Sequence, residues 1–233
     1  MIKMLCRVFP GLASLLLTVS LPVAAEASVV LKGPWLEKGE TLVCYGDSIT
    51  ARPGYFEIIS NSLAQAGIRA VNAGRGGDNS ATALMRIDEV VAKKADAAMI
   101  FFGTNDSAAG RGRWVGEPSL EPETYRDNVL WMIHRLRQAG VRKFSVVTTA
   151  GRIEGEGFLE FGNRRELYNV KTREIADRAP AVLVPLDVVF DEARKSRTPD
   201  ARGHIFTVDG VHLTDEASAL AAETMLKAWC ISK

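Results

Sequence analysis

Five short apolar runs that alternate with segments of helical spacing are the feature that most limits how this chain can fold. Parallel strands that are covered on both faces have this continuous apolar character. The runs predict strands at about 41–46, 68–71, 97–102, 144–148 and 181–186, and the intervening periodicity predicts helices at about 53–66, 80–94, 122–139, 163–178, 187–196 and 215–230. Strict alternation favours a doubly wound parallel sheet with right-handed crossovers. A chain of 233 residues is long enough for one such domain.

The charge balance and the cysteines narrow the class of protein. The chain has 29 Lys and Arg against 28 Asp and Glu, so the basic surface typical of nucleic-acid binding is not indicated. Beyond the N-terminal segment two cysteines remain, Cys44 in the first predicted strand and Cys230 at the end of the last helix. We expect two buried free thiols there and not a disulfide.

Residues 1–25 have the pattern of a secretory signal peptide. A basic start precedes an apolar run at 12–19, and small residues follow it. Cleavage fits after Ala25 or after Ala27, and the sequence does not choose between them. An uncleaved anchor is disfavoured because prolines and a glycine leave the apolar core too short to span a bilayer. We therefore expect an exported protein, periplasmic or extracellular, with one domain at 26–233 and no stable membrane insertion after cleavage.

Four polar clusters follow or flank the predicted strands. They are Gly46-Asp47-Ser48, Gly74 to Asp78, Gly103 to Asp106, and Asp209 to His212. The carboxyl ends of parallel strands share one edge of a sheet, which is where α/β folds place ligands and reacting groups. The sequence therefore predicts that these clusters meet in space.

The clusters contain the groups that an acyl transfer through a serine requires. A serine hydroxyl needs a base to accept its proton, and the base needs a partner that fixes its tautomer. His212 is the one histidine in such a cluster, and Asp209 lies three residues before it. The N–H of Ser48, the N–H of Gly77 and the side-chain amide of Asn105 can serve as donors to an oxyanion.

In this order the clusters resemble the motif blocks of the SGNH hydrolases, also called the GDSL-like esterase/lipase family. The resemblance covers essentially the whole mature chain and implies a three-layer α/β/α fold with a five-stranded sheet in flavodoxin-like order. It implies an ester hydrolase without metal or other cofactor, with Ser48 as nucleophile, His212 as general base and Asp209 as its orienting acid. Ser48, Gly77 and Asn105 would form the oxyanion hole. Two glycines in the second block leave open whether Gly76 or Gly77 donates, and we choose Gly77.

Two further aspartates, Asp47 and Asp106, are interpreted as residues that brace their loops. The same aspartates together with Asp209 and His212 also leave a metal-dependent hydrolase as an alternative, because carboxylates and histidine can hold a divalent ion.

Substrate choice depends on loops at the strand ends. Arg111, Arg113 and Trp114 follow the third block and are candidates to bind an anionic or sugar-bearing substrate. No long apolar lid segment is evident, which favours small acyl groups and a small-molecule or polysaccharide ester, such as a carbohydrate O-acetyl ester. Lysophospholipase, arylesterase or thioesterase activity is the alternative, and a non-catalytic carbohydrate- or lipid-binding protein is the rival from another class. The oligomeric state is left open.

Overall fold

The predicted strands form one five-stranded parallel sheet in the computed structural model, which describes residues 31–108, 120–150, 154–155 and 164–231. The strands are β1 (Thr41–Gly46), β2 (Arg69–Asn72), β3 (Ala97–Phe101), β4 (Lys143–Val147) and β5 (Val182–Val184). Their order is β2-β1-β3-β4-β5, with every pair parallel. The predicted flavodoxin-like order is confirmed. It places the topological switch point between β1 and β3, and ligands of this architecture bind at the carboxyl ends of these strands.

Eight helices accompany the sheet within the described residues. They are α1 (Ser48–Ala51), α2 (Tyr55–Gln65), α3 (Ser80–Met85), α4 (Ile87–Val91), α5 (Pro122–Gln138), α6 (Arg164–Arg178), α7 (Leu186–Arg194) and α8 (Asp215–Ala228). None of the helices in the described ranges is both long and apolar enough to cross a membrane.

The core lies in two layers, one on each face of the sheet, and β1 shows how the sequence builds both. Leu42 and Cys44 pack into the layer that α2 and α8 cover, whereas Val43 and Tyr45 pack into the layer of α5 and α6. Side chains of a strand alternate between its two faces, so a continuous apolar run supplies both layers at once. All four side chains are fully buried. The result is the predicted three-layer α/β/α sandwich.

The helices depart from the prediction at two places near the edge of the sheet: one short helix is additional and one predicted helix is divided. The serine turn is itself a short helix, α1, which is separate from α2. The predicted helix at 80–94 consists of α3 and α4, which meet at Arg86 with φ −110° and ψ 19°. The Arg86 side chain turns inward at this break and is buried.

The prediction for Cys230 was wrong. Cys44 is a buried free thiol, as expected, but Cys230 is free and exposed. It follows the end of α8 with φ +52°, and this turn of the backbone directs it away from the core that the preceding Trp229 fills. The predicted signal peptide at 1–25 and the substrate candidates Arg111, Arg113 and Trp114 lie outside the described residues.

Candidate active site

Ser48 is held at the first position of α1 by its immediate neighbours. The Asp47 carboxylate accepts a hydrogen bond from the Ile49 N–H at 2.8 Å and caps the helix. At Gly46 a Cβ atom would lie 2.0 Å from Thr50 Oγ1 and 2.8 Å from the Phe101 carbonyl oxygen, so only glycine fits. The nucleophile candidate therefore sits on a turn that has little freedom to move.

His212 and Asp209 complete a hydrogen-bonded chain that starts at the serine. His212 Nε2 lies 2.9 Å from Ser48 Oγ, and His212 Nδ1 lies 2.7 Å from Asp209 Oδ2. The other carboxylate oxygen of Asp209 accepts the His212 N–H at 2.8 Å and the Val211 N–H at 3.1 Å. With Nδ1–H donated to the carboxylate, Nε2 is left as the acceptor for the serine hydroxyl. The predicted spacing of three residues thus brings aspartate and imidazole together.

The environment of Asp209 favours its charged form. Partial burial alone raises its pKa, but the backbone N–H of His212, the imidazole and the Val211 N–H together outweigh this and hold the pKa of Asp209 below its ordinary value. A carboxylate that stays ionised can stabilise the imidazolium that forms when His212 accepts a proton.

The second and third polar clusters meet beside the serine turn. The Arg75 N–H donates to the Gly46 carbonyl at 3.0 Å, which ties the glycine-rich loop to the end of β1. Asn105 Nδ2 donates to the Asp78 carbonyl at 2.8 Å, one residue after Gly77. An asparagine amide has two N–H groups, so this bond fixes the side chain and leaves one donor for a ligand.

Gly76 and Gly77 differ in conformation. Gly77 has φ +76°, a region that residues with a Cβ atom rarely adopt, whereas Gly76 is outside that region and a Cβ there would meet nothing within 4 Å. The backbone therefore requires glycine at position 77. The Ser48 N–H belongs to the first turn of α1, where backbone donors have no partner within the helix.

A buried ion pair braces this loop from beneath. Arg86 Nε lies 2.6 Å from Asp78 Oδ2, and both side chains are less than one-tenth exposed. The same guanidinium donates to the carbonyls of Ala73 at 3.0 Å and Gly46 at 3.4 Å, and it stacks over the Tyr45 ring. Sequence reasoning missed Arg86 as a residue of the site, because an arginine in a helical segment is normally solvated.

Asp47 and Asp106 brace loops, as the sequence predicted. Asp106 accepts the N–H groups of Ser80 at 2.9 Å and Gly103 at 3.1 Å. Burial raises the pKa of Asp106, and it raises the pKa of Asp47 to about 7. Among the described residues, no three His, Cys, Asp or Glu side chains lie close enough together to hold a metal ion.

A second ion pair, of a buried carboxylate with a partly buried arginine, lies behind the segment that carries Asp209 and His212. Glu154 and Arg194 form it, with 2.5 Å between Oε1 and Nη1. Sequence reasoning missed both residues. Glu154 lies in a glycine-rich stretch and Arg194 near the end of a helix, forty residues apart, and neither position has a local pattern that marks it.

The chain matches a known family along most of its length. A sequence model of the GDSL-like lipase/acylhydrolase family matches residues 44–220, a span that contains all four polar clusters. No curated protein sequence matches the chain significantly.

Solved structures share the fold. The α/β hydrolase LAE5 from the metagenome of Lake Arreo, Spain, is 21% identical over 86% of this chain and 100% of its own, with a TM-score of 0.74. Axe2, an acetylxylan esterase from Geobacillus stearothermophilus, is 24% identical over 84% of this chain and 96% of its own, with a TM-score of 0.72. Variants of Axe2 with alanine in place of a serine, a histidine or an aspartate are described as catalytic mutants.

The predicted family is thus confirmed by a match that spans most of the domain, and the predicted fold by the sheet order and by these structures. This chain belongs to the GDSL-like lipase/acylhydrolase family and is a hydrolase of ester bonds.

Proposed function

We propose that the protein is an exported serine esterase that takes the acyl group of a carboxylic ester onto Ser48 and then passes it to water. The observation that carries this proposal is the continuous chain from Ser48 Oγ through His212 to Asp209, with distances of 2.9 and 2.7 Å. A hydroxyl within hydrogen-bond distance of an oriented imidazole is the arrangement that activates a serine.

The first half of the reaction makes the acyl-enzyme. Ser48 Oγ attacks the ester carbonyl while its proton passes to His212 Nε2, and the Asp209 carboxylate stabilises the resulting imidazolium. The negative charge on the carbonyl oxygen is received by the N–H of Ser48, the N–H of Gly77 and the Asn105 amide. His212 then returns the proton to the leaving alcohol, and the acyl group remains on Ser48.

The second half releases the acid. Water donates a proton to His212 Nε2 as it attacks the acyl group, the same donors receive the oxyanion, and the returned proton frees Ser48. These steps need no metal and no organic cofactor.

For the substrate we propose a small O-acyl ester on a carbohydrate, with acetyl as the first acyl group to test. The similarity in fold to an acetylxylan esterase supports this choice. The Asp209 side chain is 47% exposed, so the acid–base side of the site is open to a bulky leaving group such as a sugar. Arg111, Arg113 and Trp114 are proposed to contact that sugar.

Active-site labelling with a fluorophosphonate tests the nucleophile. We expect label on Ser48, located by mass spectrometry, and no label in the Ser48→Ala and His212→Ala variants. Ser62→Ala on the neighbouring helix is the matched control and should label like the wild type. A folded wild-type protein that stays unlabelled would overturn the serine mechanism.

A substrate panel tests the ester class. Acetylated xylo-oligosaccharides, aryl esters of increasing acyl length, a lysophospholipid and an acyl thioester are compared by kcat/KM. We expect the highest value for an acetylated oligosaccharide, with a fall in Trp114→Ala on that substrate alone. Preference for the lysophospholipid, a long aryl ester or the thioester would replace the substrate assignment. Binding without turnover on the whole panel would favour a non-catalytic role.

Export is tested on the protein as the cell processes it. Expression of the full chain followed by N-terminal sequencing should give a mature protein that begins at Glu26 or Ser28, in the periplasm or the medium. Recovery of the chain with Met1 in the cytoplasm would contradict the proposal.

A further inference from the structure

A buried carboxylate that the proposed mechanism does not use lies directly behind the acid–base segment. Glu154 is 3% exposed, and one of its carboxylate oxygens accepts four hydrogen bonds. The donors are the backbone N–H groups of Ile205, Phe206 and Thr207 at 2.8–2.9 Å and the Thr207 hydroxyl at 2.8 Å. Three consecutive N–H groups that converge on one oxygen form a nest for an anion. Here the chain itself supplies that anion.

The contacts of Glu154 continue into the turn that carries the catalytic candidates. Thr207 Oγ1, which donates to Glu154, accepts the Gly210 N–H at 3.0 Å. The Glu154 N–H in turn donates to the Gly210 carbonyl at 3.4 Å. The turn is closed by an antiparallel bridge between Thr207 and Leu213 and by a bond of 2.9 Å from the Val208 N–H to the His212 carbonyl. Glu154 thus fixes the base of a turn that has Asp209 and His212 at its exposed side.

Arg194 of α7 holds the carboxylate in place. Its Nη1 lies 2.5 Å from the Glu154 oxygen that does not face the nest, and its guanidinium stacks over the Phe206 ring. Phe206 is buried and packs edge to face against Phe190, which lies on α7 like Arg194, with ring centroids 5.0 Å apart. Burial by itself raises the pKa of Glu154, but the bonds from Arg194 and from the nest outweigh it and hold the pKa below its ordinary value. The carboxylate is therefore charged and anchored to a helix.

We infer that Glu154, anchored by Arg194, is a positioning residue that sets the place of His212 relative to Ser48. It acts through the turn at 207–213 and touches neither reacting atom. The inference rests on the proposed role of His212 as the base. Its physical reason is that the Asp209 and His212 segment is a loop with an exposed aspartate, so its place must be set from the buried side. A displacement of about 1 Å at a reacting group can lower a rate about 100-fold.

Glu154→Gln is the sharpest test, because it keeps the volume and removes the charge. The glutamine amide has one oxygen that accepts hydrogen bonds and one nitrogen that only donates them. It therefore cannot accept hydrogen bonds from the nest on one atom and from Arg194 on the other. We expect kcat to fall about tenfold, with KM little changed, and the rate of fluorophosphonate labelling to fall by the same factor. In Glu154→Ala, where the nest loses its acceptor altogether, the fall should approach about 100-fold.

Asp187→Asn is the matched control. Asp187 is also a largely buried carboxylate paired with an arginine, Arg173 at 2.9 Å, and it bonds Thr148 without contacting the turn. We expect it to lower the melting temperature as Glu154→Gln does and to leave kcat unchanged. Arg194→Met should lower kcat, whereas Arg194→Lys, which keeps the charge, should restore most of it.

A spectroscopic readout separates positioning from stability. We expect the proton on His212 Nδ1, shared with Asp209 across 2.7 Å, to give a low-field NMR resonance in the free protein. We expect that resonance to shift or broaden in Glu154→Gln and to stay unchanged in Asp187→Asn. If folded Glu154→Gln has the same kcat, labelling rate and resonance as the wild type, the inference is overturned. If the wild type takes no label, the serine mechanism fails, and the resonance still decides whether Glu154 positions His212.

Discussion

The two halves of the site are built differently. The proposed oxyanion half, residues 46–50, 72–79 and 103–106, comes from three strand ends. Backbone hydrogen bonds and buried Arg86 tie its loops to one another, Asp106 joins the third loop to the start of α3, and Asp47 holds its own turn. The acid–base half, residues 204–214, is one segment between α7 and α8, and in the described residues it is tied from behind by Glu154.

The difference fits the role that we propose for each half. Donors to an oxyanion act best when they are fixed before the charge develops, in a place where water does not compete. Burial and several independent ties achieve this. A base must accept a proton and release it in each turnover, so it stays close to solvent, and one anchored loop is sufficient.

Removal of the base should leave only the oxyanion half at work. We expect His212→Ala to lower kcat by about 10⁴-fold or more, because the serine loses its proton acceptor while the oxyanion donors remain in place. Steady-state kinetics on the best ester measures this, with melting temperature as the check on folding. A loss below about tenfold would mean that the chain from Ser48 to Asp209 is not the catalytic apparatus.

The Arg86–Asp78 and Arg194–Glu154 ion pairs should differ in how much stability is lost when each is removed. In Arg86→Met the Asp78 carboxylate keeps, among the described side chains, one hydrogen bond, from the Thr82 hydroxyl. We therefore expect the free energy of unfolding to fall by about 3–5 kcal/mol. In Arg194→Met the Glu154 carboxylate keeps its four donors, and the fall should be about 1–3 kcal/mol. Urea denaturation of the two variants compares them directly. Equal losses would show that the halves are braced alike.

Loss of one oxyanion donor should affect the rate more than the affinity. We expect Asn105→Ala to lower kcat by about 10²- to 10³-fold with a small change in KM, because the donor acts on charge that develops in the transition state. The bond to the Asp78 carbonyl is lost as well, so the melting temperature is measured beside the kinetics. An effect confined to KM would place Asn105 in substrate binding instead.

The free energy of unfolding should depend on pH through Asp47, which is buried in the oxyanion half. Its pKa of about 7 in the folded protein lies above the ordinary value of 3.8, so the neutral form is favoured by folding. The stability from this group is complete below pH 4 and is lost as the pH rises through 7, by about 2.5 kcal/mol between pH 5 and pH 8. Asp47→Asn, which can still cap α1, should lack this loss in denaturation experiments at the two pH values. If the free energy of unfolding changed equally with pH in the variant and in the wild type, the assignment of this loss to Asp47 would be contradicted.

The smallest effect is expected at the surface of the oxyanion loop. Arg75 pairs with Glu89 at 2.7 Å, and both side chains are more than half exposed. Solvent screens such a pair, so Glu89→Ala should change the free energy of unfolding by less than about 1 kcal/mol and leave kcat unchanged. A clear fall in kcat would mean that the loop depends on its surface contacts as well as on Arg86.

Much of the fold could be read from local patterns. The apolar runs predicted all five strands to within a few residues, because a strand buried on both faces must be apolar throughout. Helical spacing predicted α5, α6, α7 and α8 well. The division at Arg86 was missed, since the helical periodicity continues through residues 80–94 and the tertiary contacts of one side chain interrupt it.

The sequence by itself determined the catalytic candidates and one of their contacts. Asp209 and His212 are three residues apart, and a single turn is enough to join them. Only the tertiary structure decided that His212 meets Ser48 across 164 residues of sequence, that Arg86 supports the oxyanion loop, and that Glu154 and Arg194 pair behind the base. The reason is that local periodicity reports which face of an element is buried, whereas contacts between distant residues depend on how the sheet brings its strand ends together.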